Sequence, residues 1–201
     1  MRVIRLLPLS LCALIATSLP SRAADLNPFG ALSSVVETAV EDRAAGDIAS
    51  DTRIKATYTN GVLDKMGADV IAINCDVYEQ NIMLTGTVET AEQKAQAYRL
   101  ATGIEGVKAI YNDIQVLRDV DKQKGAVEGT VDDTVIETKI KALFVDADAI
   151  HMTNYRWRSV QGRVYLFGRA LSQGEMNKAV SIIKSIKNVR SLTNRAFVRG
   201  K

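Results

Sequence analysis

Catalysis near neutral pH needs side chains that exchange protons, carry a nucleophile or hold a metal, and this sequence is poor in all three. It has a single histidine, His151, and two cysteines, Cys12 and Cys75. No metal cluster of ordinary ligand spacing can be assembled from them, and neither a nucleophile elbow nor a phosphate-binding glycine loop occurs. The acidic pairs Glu41/Asp42 and Asp132/Asp133 are sequence neighbours. That suits helix capping or a solvated face better than paired acid–base work. Cys75 lies in an apolar alternation as a small core hydrophobe, and His151 opens a strand as a surface imidazole. These features predict a binding protein: not an enzyme, with no catalytic residue, no cofactor and no metal.

Binding chemistry is concentrated in arginines that alternate with aromatics. If Val164, Leu166 and Gly168 face a core, then Arg163, Tyr165, Phe167 and Arg169 face away from it. Arg156 and Arg158 join them from the preceding strand, and Arg195, Phe197 and Arg199 from the last one. A guanidinium fork can bond two phosphate oxygens, and an aromatic ring suits a boundary that is wet on one side. Anionic phospholipid headgroups fit this face. The same pattern could serve single-stranded nucleic acid in the cytoplasm, but an exported chain makes nucleic acid an unsuitable partner. A second candidate lies beside the helical core stripes: Val135 with Lys139, and Ile182 with Lys178.

The elements that must position these residues come from an internal repeat. Thr52-Arg53-Ile54-Lys55-Ala56 recurs 86 residues later as Thr138-Lys139-Ile140-Lys141-Ala142. The register then holds at 82 through Leu84/Leu166, Gly86/Gly168, Ala97/Ala179, Ile104/Ile186 and Asn112/Asn194. Each copy predicts helix, strand, strand, helix, strand. The first has a helix over Asp47–Tyr58, strands over Asp69–Val77 and Ile82–Val88, a helix capped by Thr90, and a last strand over Val107–Leu117. The second runs Thr130–Val145, Met152–Ser159, Arg163–Ala170, Ser172–Ile186 and Val189–Arg199, with Gln161-Gly162 as a hairpin turn. The fold class is α+β, two tandem αββαβ modules, each a three-stranded mixed sheet with two helices on one face.

A glycine closing the second strand, a Thr or Ser cap, and a Gly or equivalent before Asn and a final alternating strand together resemble the BON domain. Two such copies behind a leader are similar to envelope proteins of the OsmY and DolP types. The resemblance implies a non-enzymatic periplasmic protein that supports outer-membrane integrity or osmotic stress tolerance, with phospholipid headgroups as ligand. Asn188 stands where the family pattern has Gly, and Asn tolerates a left-handed backbone.

Arg2 and Arg5 precede an uncharged run from Leu6 to Leu19, followed by Pro20-Ser21-Arg22-Ala23. This predicts a secretory signal over 1–23, cleaved after Ala23 or Ala24. Leu11 precedes Cys12 in mid-run, so the chain is not expected to be a lipoprotein, and the mature chain keeps Cys75 alone. A helical segment follows over 24–46, then the first module over 47–118, a polar linker over 119–129 and the second module over 130–201. The net charge of +3 resides in the leader's three arginines. Beyond it, 25–119 carries 8 basic and 15 acidic residues, and 120–201 carries 15 and 8. Such asymmetry marks a partner surface or two halves that attract. The corresponding face of the first module offers Asn74, Asp76, Asn81, Met83, Thr85, Asp113 and Gln115. Two uses of the basic face stay open: a periplasmic membrane surface, peripherally bound, or docking on the acidic module or on a second chain. The competing function is a periplasmic chaperone or assembly adaptor that binds envelope protein clients, and outer-membrane assembly proteins are a further expected partner.

Overall fold

The computed structural model describes residues 42–67, 72–117 and 126–199, with the side chains of 126–131 excepted. The expected leader with its cleavage point, most of the 24–46 segment and residues 119–125 of the expected linker lie outside the described residues. The first module comprises α1 (Ala45–Met66), β1 (Ile73–Tyr78), β2 (Asn81–Val88), α2 (Ala91–Thr102), β3 (Ala109–Asn112) and β4 (Gln115–Val116). The second comprises α3 (Ala126–Val145), a short 3-10 turn, β5 (Tyr155–Val160), β6 (Arg163–Ala170), α4 (Gln173–Ser185), β7 (Ser191–Asn194) and β8 (Phe197–Val198).

In each module the first two strands form an antiparallel hairpin, and the third runs parallel to the middle one. The third strand is broken in two, yet both pieces pair with the middle strand in one continuous register: Leu84↔Asn112 then Thr87↔Gln115, and Leu166↔Asn194 then Arg169↔Phe197. The parallel return requires a crossover, and the second helix supplies it. Two observed helices are longer than the repeat predicts. α1 runs on to Met66 because Val62 extends the buried stripe of Ile54 and Tyr58 at helical spacing. It stops at Gly67, whose φ of +79 few other residues adopt. α3 starts at Ala126, inside the segment expected to be linker, since adding turns to a nucleated helix costs little.

Both modules bury one sheet face under their two helices. In the first, Ile54, Tyr58, Val77, Ile82, Leu84, Ala97 and Ile114 form the core. In the second, Ile136, Ile140, Phe144, Tyr155, Val164, Leu166 and Ile183 do so, with Trp157 at the margin. Cys75 is buried in the first core, where burial foremost and the neighbouring Asp76 push its thiol up to about 12, against a lesser downward pull from Lys55. Labelling of the folded chain by a thiol reagent at pH 8 is therefore expected to be slow and to track unfolding in urea. Rapid stoichiometric labelling without denaturant would contradict this burial. Because the folded value lies above the ordinary 9.0, this thiol's contribution to stability is lost as pH rises from 9 towards 12.

The hairpin turns take left-handed φ at both central residues, Glu79-Gln80 in one module and Gln161-Gly162 in the other. This is the turn twist that suits a two-residue hairpin. Glu79 and Gln80 lack glycine's freedom, and a buried carboxylate holds them: Asp51 on α1 accepts from Glu79 N (2.8 Å), Gln80 N (2.7 Å) and Gln80 Nε2 (3.1 Å). Asp133 on α3 grips the second hairpin, accepting from Gln161 N, Gly162 N and Ser159 Oγ at 2.6, 2.8 and 2.6 Å. Asp133 is thus a positioning group, where its sequence context suggests capping or solubility. Asn188 adopts φ +75, matching Gly106 at +86 in the first copy.

Candidate functional site

Among the described residues, the second face of each sheet carries no helix of its own module. These two faces meet. Tyr78 and Met83 of the first module pack with Val160, Tyr165 and Phe167 of the second, and Tyr111 packs at the edge. Phe167 is fully buried and lies edge-on to Tyr78 and Tyr111, with ring centroids 6.5 and 6.0 Å apart. Such edge-to-face contacts add to the gain from burying apolar area.

Around this apolar centre run charged pairs that cross between the modules. Arg158 donates to Asp76 Oδ1 at 2.8 Å and lies 4.0 Å from Glu137. Arg195 forks onto Asp113 at 2.8 and 3.0 Å, with its guanidinium 5.3 Å from the centre of the Tyr111 ring. Arg169 bonds Glu79 and reaches Asp42, which Arg199 also holds at 2.8 Å. Arg163 donates to the Gln115 amide oxygen, and Gln115 Nε2 donates to the Tyr165 hydroxyl at 3.1 Å. Arg156 donates to the Thr153 and Tyr155 carbonyls at 2.8 Å and lies 5.7 Å from the Tyr78 ring centre, with Arg43 4.2 Å from the same centre.

These placements revise the expected lipid face. Tyr165 and Phe167 are buried against the first module, while Arg158, Arg163, Arg169, Arg195 and Arg199 meet its polar side chains. In the docked chain this sheet is not a surface open to headgroups. The physical reason is complementarity: aromatics left open to water forgo the gain from burial, and the acidic sibling face covers them while supplying partners for the cations around them. Phe197 remains exposed at the edge, and Arg199 is more than half exposed. Val135, Lys139 and Lys178 lie on the outer helical surface as expected, whereas Ile182 is half-buried against the core of its own module. Leu143 and Val145 add exposed aliphatic surface to α3.

Several members of the seam escape the sequence pattern. Tyr78 falls just past the expected strand Asp69–Val77, yet it continues the outward alternation of Asn74 and Asp76, which is the signal for it. Asp42 gives no such signal, because its partner Arg199 is 157 residues away. The seam also leaves Asp76 Oδ2 and the Nε atoms of Arg158 and Arg169 without hydrogen-bond partners among the described residues. Burial pushes the Glu137 carboxyl up, opposed by the hydrogen bond from Ser159 N–H and by Arg158. Beside it, a recess of about 310 Å³ is walled by Trp157, Arg158, Lys141 and Asp76. His151 is exposed and lies 3.3 Å from the buried Glu175, which also accepts from the backbone of His151 and Leu171. Glu175 therefore fixes a loop. Among the described residues, no group of three or more His, Cys, Asp or Glu could hold a metal, and no helix is long and apolar enough to cross a membrane.

Fold and seam together define a tandem-module α+β protein whose two sheets serve as mutual docking surfaces. The BON domain model matches residues 50–118 and 132–200, and the chain belongs to the BON-domain family. It is 35% identical to an uncharacterised protein in the gshII 5′ region of Anaplasma centrale, over 60% of this chain and 78% of that one. It is 28% identical to osmotically-inducible protein Y of Escherichia coli, over 74% and 73% of the two chains. Its identity to the outer membrane lipoprotein DolP of Haemophilus influenzae is also 28%, over 81% of each.

Proposed function

We propose that this chain is a non-enzymatic periplasmic protein that binds anionic phospholipid headgroups through the helical side of its second module and supports outer-membrane integrity or stress tolerance. The observation that carries the proposal is the presence of exposed aliphatics and lysines on that side: Val135, Leu143 and Val145 are 45, 40 and 64% exposed on α3, where Lys139 lies between Val135 and Leu143 at four-residue spacing, and Lys178 is exposed on α4. Aliphatic side chains enter the headgroup boundary, and lysines are drawn to its negative charge. The arginines of the sheet have partners within the chain, and the helices add an outward cationic surface to the module. Relatives named for osmotic induction and for the outer membrane support the compartment.

The test is co-sedimentation with phosphatidylglycerol-containing and purely zwitterionic vesicles at low and high salt. Selective, salt-sensitive binding is expected, and Lys139→Glu with Lys178→Glu should weaken it by roughly tenfold or more, at about 1 kcal/mol per basic side chain near an anionic surface. Unchanged binding in that variant, with loss in Arg199→Glu, would move the site to the sheet edge. Absence of vesicle binding, with capture of unfolded outer-membrane protein, would overturn the lipid reading in favour of an assembly adaptor.

A further inference from the structure

A second feature of the seam is independent of the helical surface. Where the end of the first module's sheet meets the second hairpin, a recess of about 520 Å³ opens, lined almost wholly by polar groups. Three cations from separate segments line it: Lys94 on α2, Arg163 at the start of β6, and Arg190 just before β7. Arg190 is anchored by its own N–H, which donates to the Gly162 carbonyl at 2.7 Å, and its stem lies over Gly162. Arg163 is oriented by its bond to Gln115. Among the described residues the one carboxylate in the lining, Asp113, is matched by the two-pronged contact from Arg195, so it does little to offset the three cations. The repeat does not encode this grouping. At the 82-residue offset, Lys94 corresponds to Met176 and Arg163 to Asn81, while Arg190 corresponds to the basic Lys108, and the lining joins residues of both modules, so the recess belongs to the docked pair.

Cations gathered in a concavity repel one another and concentrate anions there. Guanidinium forks select oxygens in pairs, and an ammonium adds a point charge. We propose that this recess binds a compact oxyanion of the phosphate class, gripped by Lys94 from one module and by Arg163 and Arg190 from the other. The ligand bridges the seam, so its binding stabilises the docked arrangement.

The experiment is thermal unfolding of the mature chain in sodium phosphate and in sodium chloride of matched ionic strength. It compares the native sequence with Lys94→Gln/Arg190→Gln, which leaves the crossing pairs intact. The native chain should gain Tm with phosphate concentration beyond the chloride control, and the double variant should keep its chloride Tm and lose most of that gain. A phosphate effect no larger than that of chloride, or one equal in both proteins, would overturn the proposal. Phosphatidylglycerol vesicles separate the sources: loss of vesicle binding in the double variant assigns the oxyanion to a headgroup, and retained vesicle binding assigns it to a soluble phosphate. Failure here is distinct from failure of the helical site, which is read through Lys139 and Lys178.

Discussion

Gly168→Ala is expected to destabilise the second module strongly. Gly168 has φ +110, and a Cβ built on it would lie 2.1 Å from the Asn154 carbonyl oxygen and 3.1 Å from Tyr155 Cα. That oxygen belongs to backbone entering β5, whose first residue Tyr155 pairs with Gly168, so relief requires the hairpin to separate at that end. Asn154 and Tyr155 are buried and cannot move outward without dragging the core aromatics. A left-handed backbone combined with a backbone clash costs about 3 kcal/mol or more. For a module of this size that is a fall in Tm of roughly 12 °C or more, measurable by circular dichroism. Gly86→Ala should do the same to the first module, where the Cβ would meet the Ala72 carbonyl oxygen at 1.7 Å. A fall of only a few degrees in both variants would contradict the close strand approach.

Phe167→Ala is expected to uncouple the modules while leaving each helix-covered core in place. Phe167 is on the sheet face opposite Val164 and Leu166, so truncation removes nothing from the second core and hollows the centre of the seam. Truncating a fully buried phenylalanine costs about 3–5 kcal/mol. The loss falls on the contacts that tie the modules together. Denaturant unfolding should therefore split from one transition into two, and small-angle scattering should report a larger radius of gyration, since modules without an apolar interface move independently. If the faces were apart in solution, Phe167 would already be hydrated, and alanine would change stability by less than about 0.5 kcal/mol. The two outcomes are well separated.

Most of the fold was legible because the repeat presents each constraint twice. Gly86 and Gly168 mark the same close approach of strands, Gly106 and Asn188 the same left-handed turn, and Thr90 and Ser172 the same helix start. Alternation correctly separated Val164 and Leu166 from Tyr165 and Phe167, since successive strand residues point to opposite faces whatever the surroundings. Carboxylate roles were less legible. Asp51 grips the first hairpin, but its repeat counterpart Glu137 bonds Ser159, and Asp133, one turn earlier on α3, grips the second hairpin. Such a shift follows from side-chain length and helix placement, which no residue spacing records.

By itself the sequence determined two αββαβ modules, the buried face of each sheet, and a first half richer in acids followed by a second half richer in arginines. Only the tertiary structure decided what covers the opposite faces. Period-two alternation gives a direction relative to one sheet and contains nothing about where another sheet sits. That Arg158 meets Asp76, Arg195 meets Asp113 and Arg199 meets Asp42 follows from how the two modules are placed, and none of these pairs is near in sequence. The same orientation converts the basic face from open surface into seam and gathers Lys94, Arg163 and Arg190 around one recess.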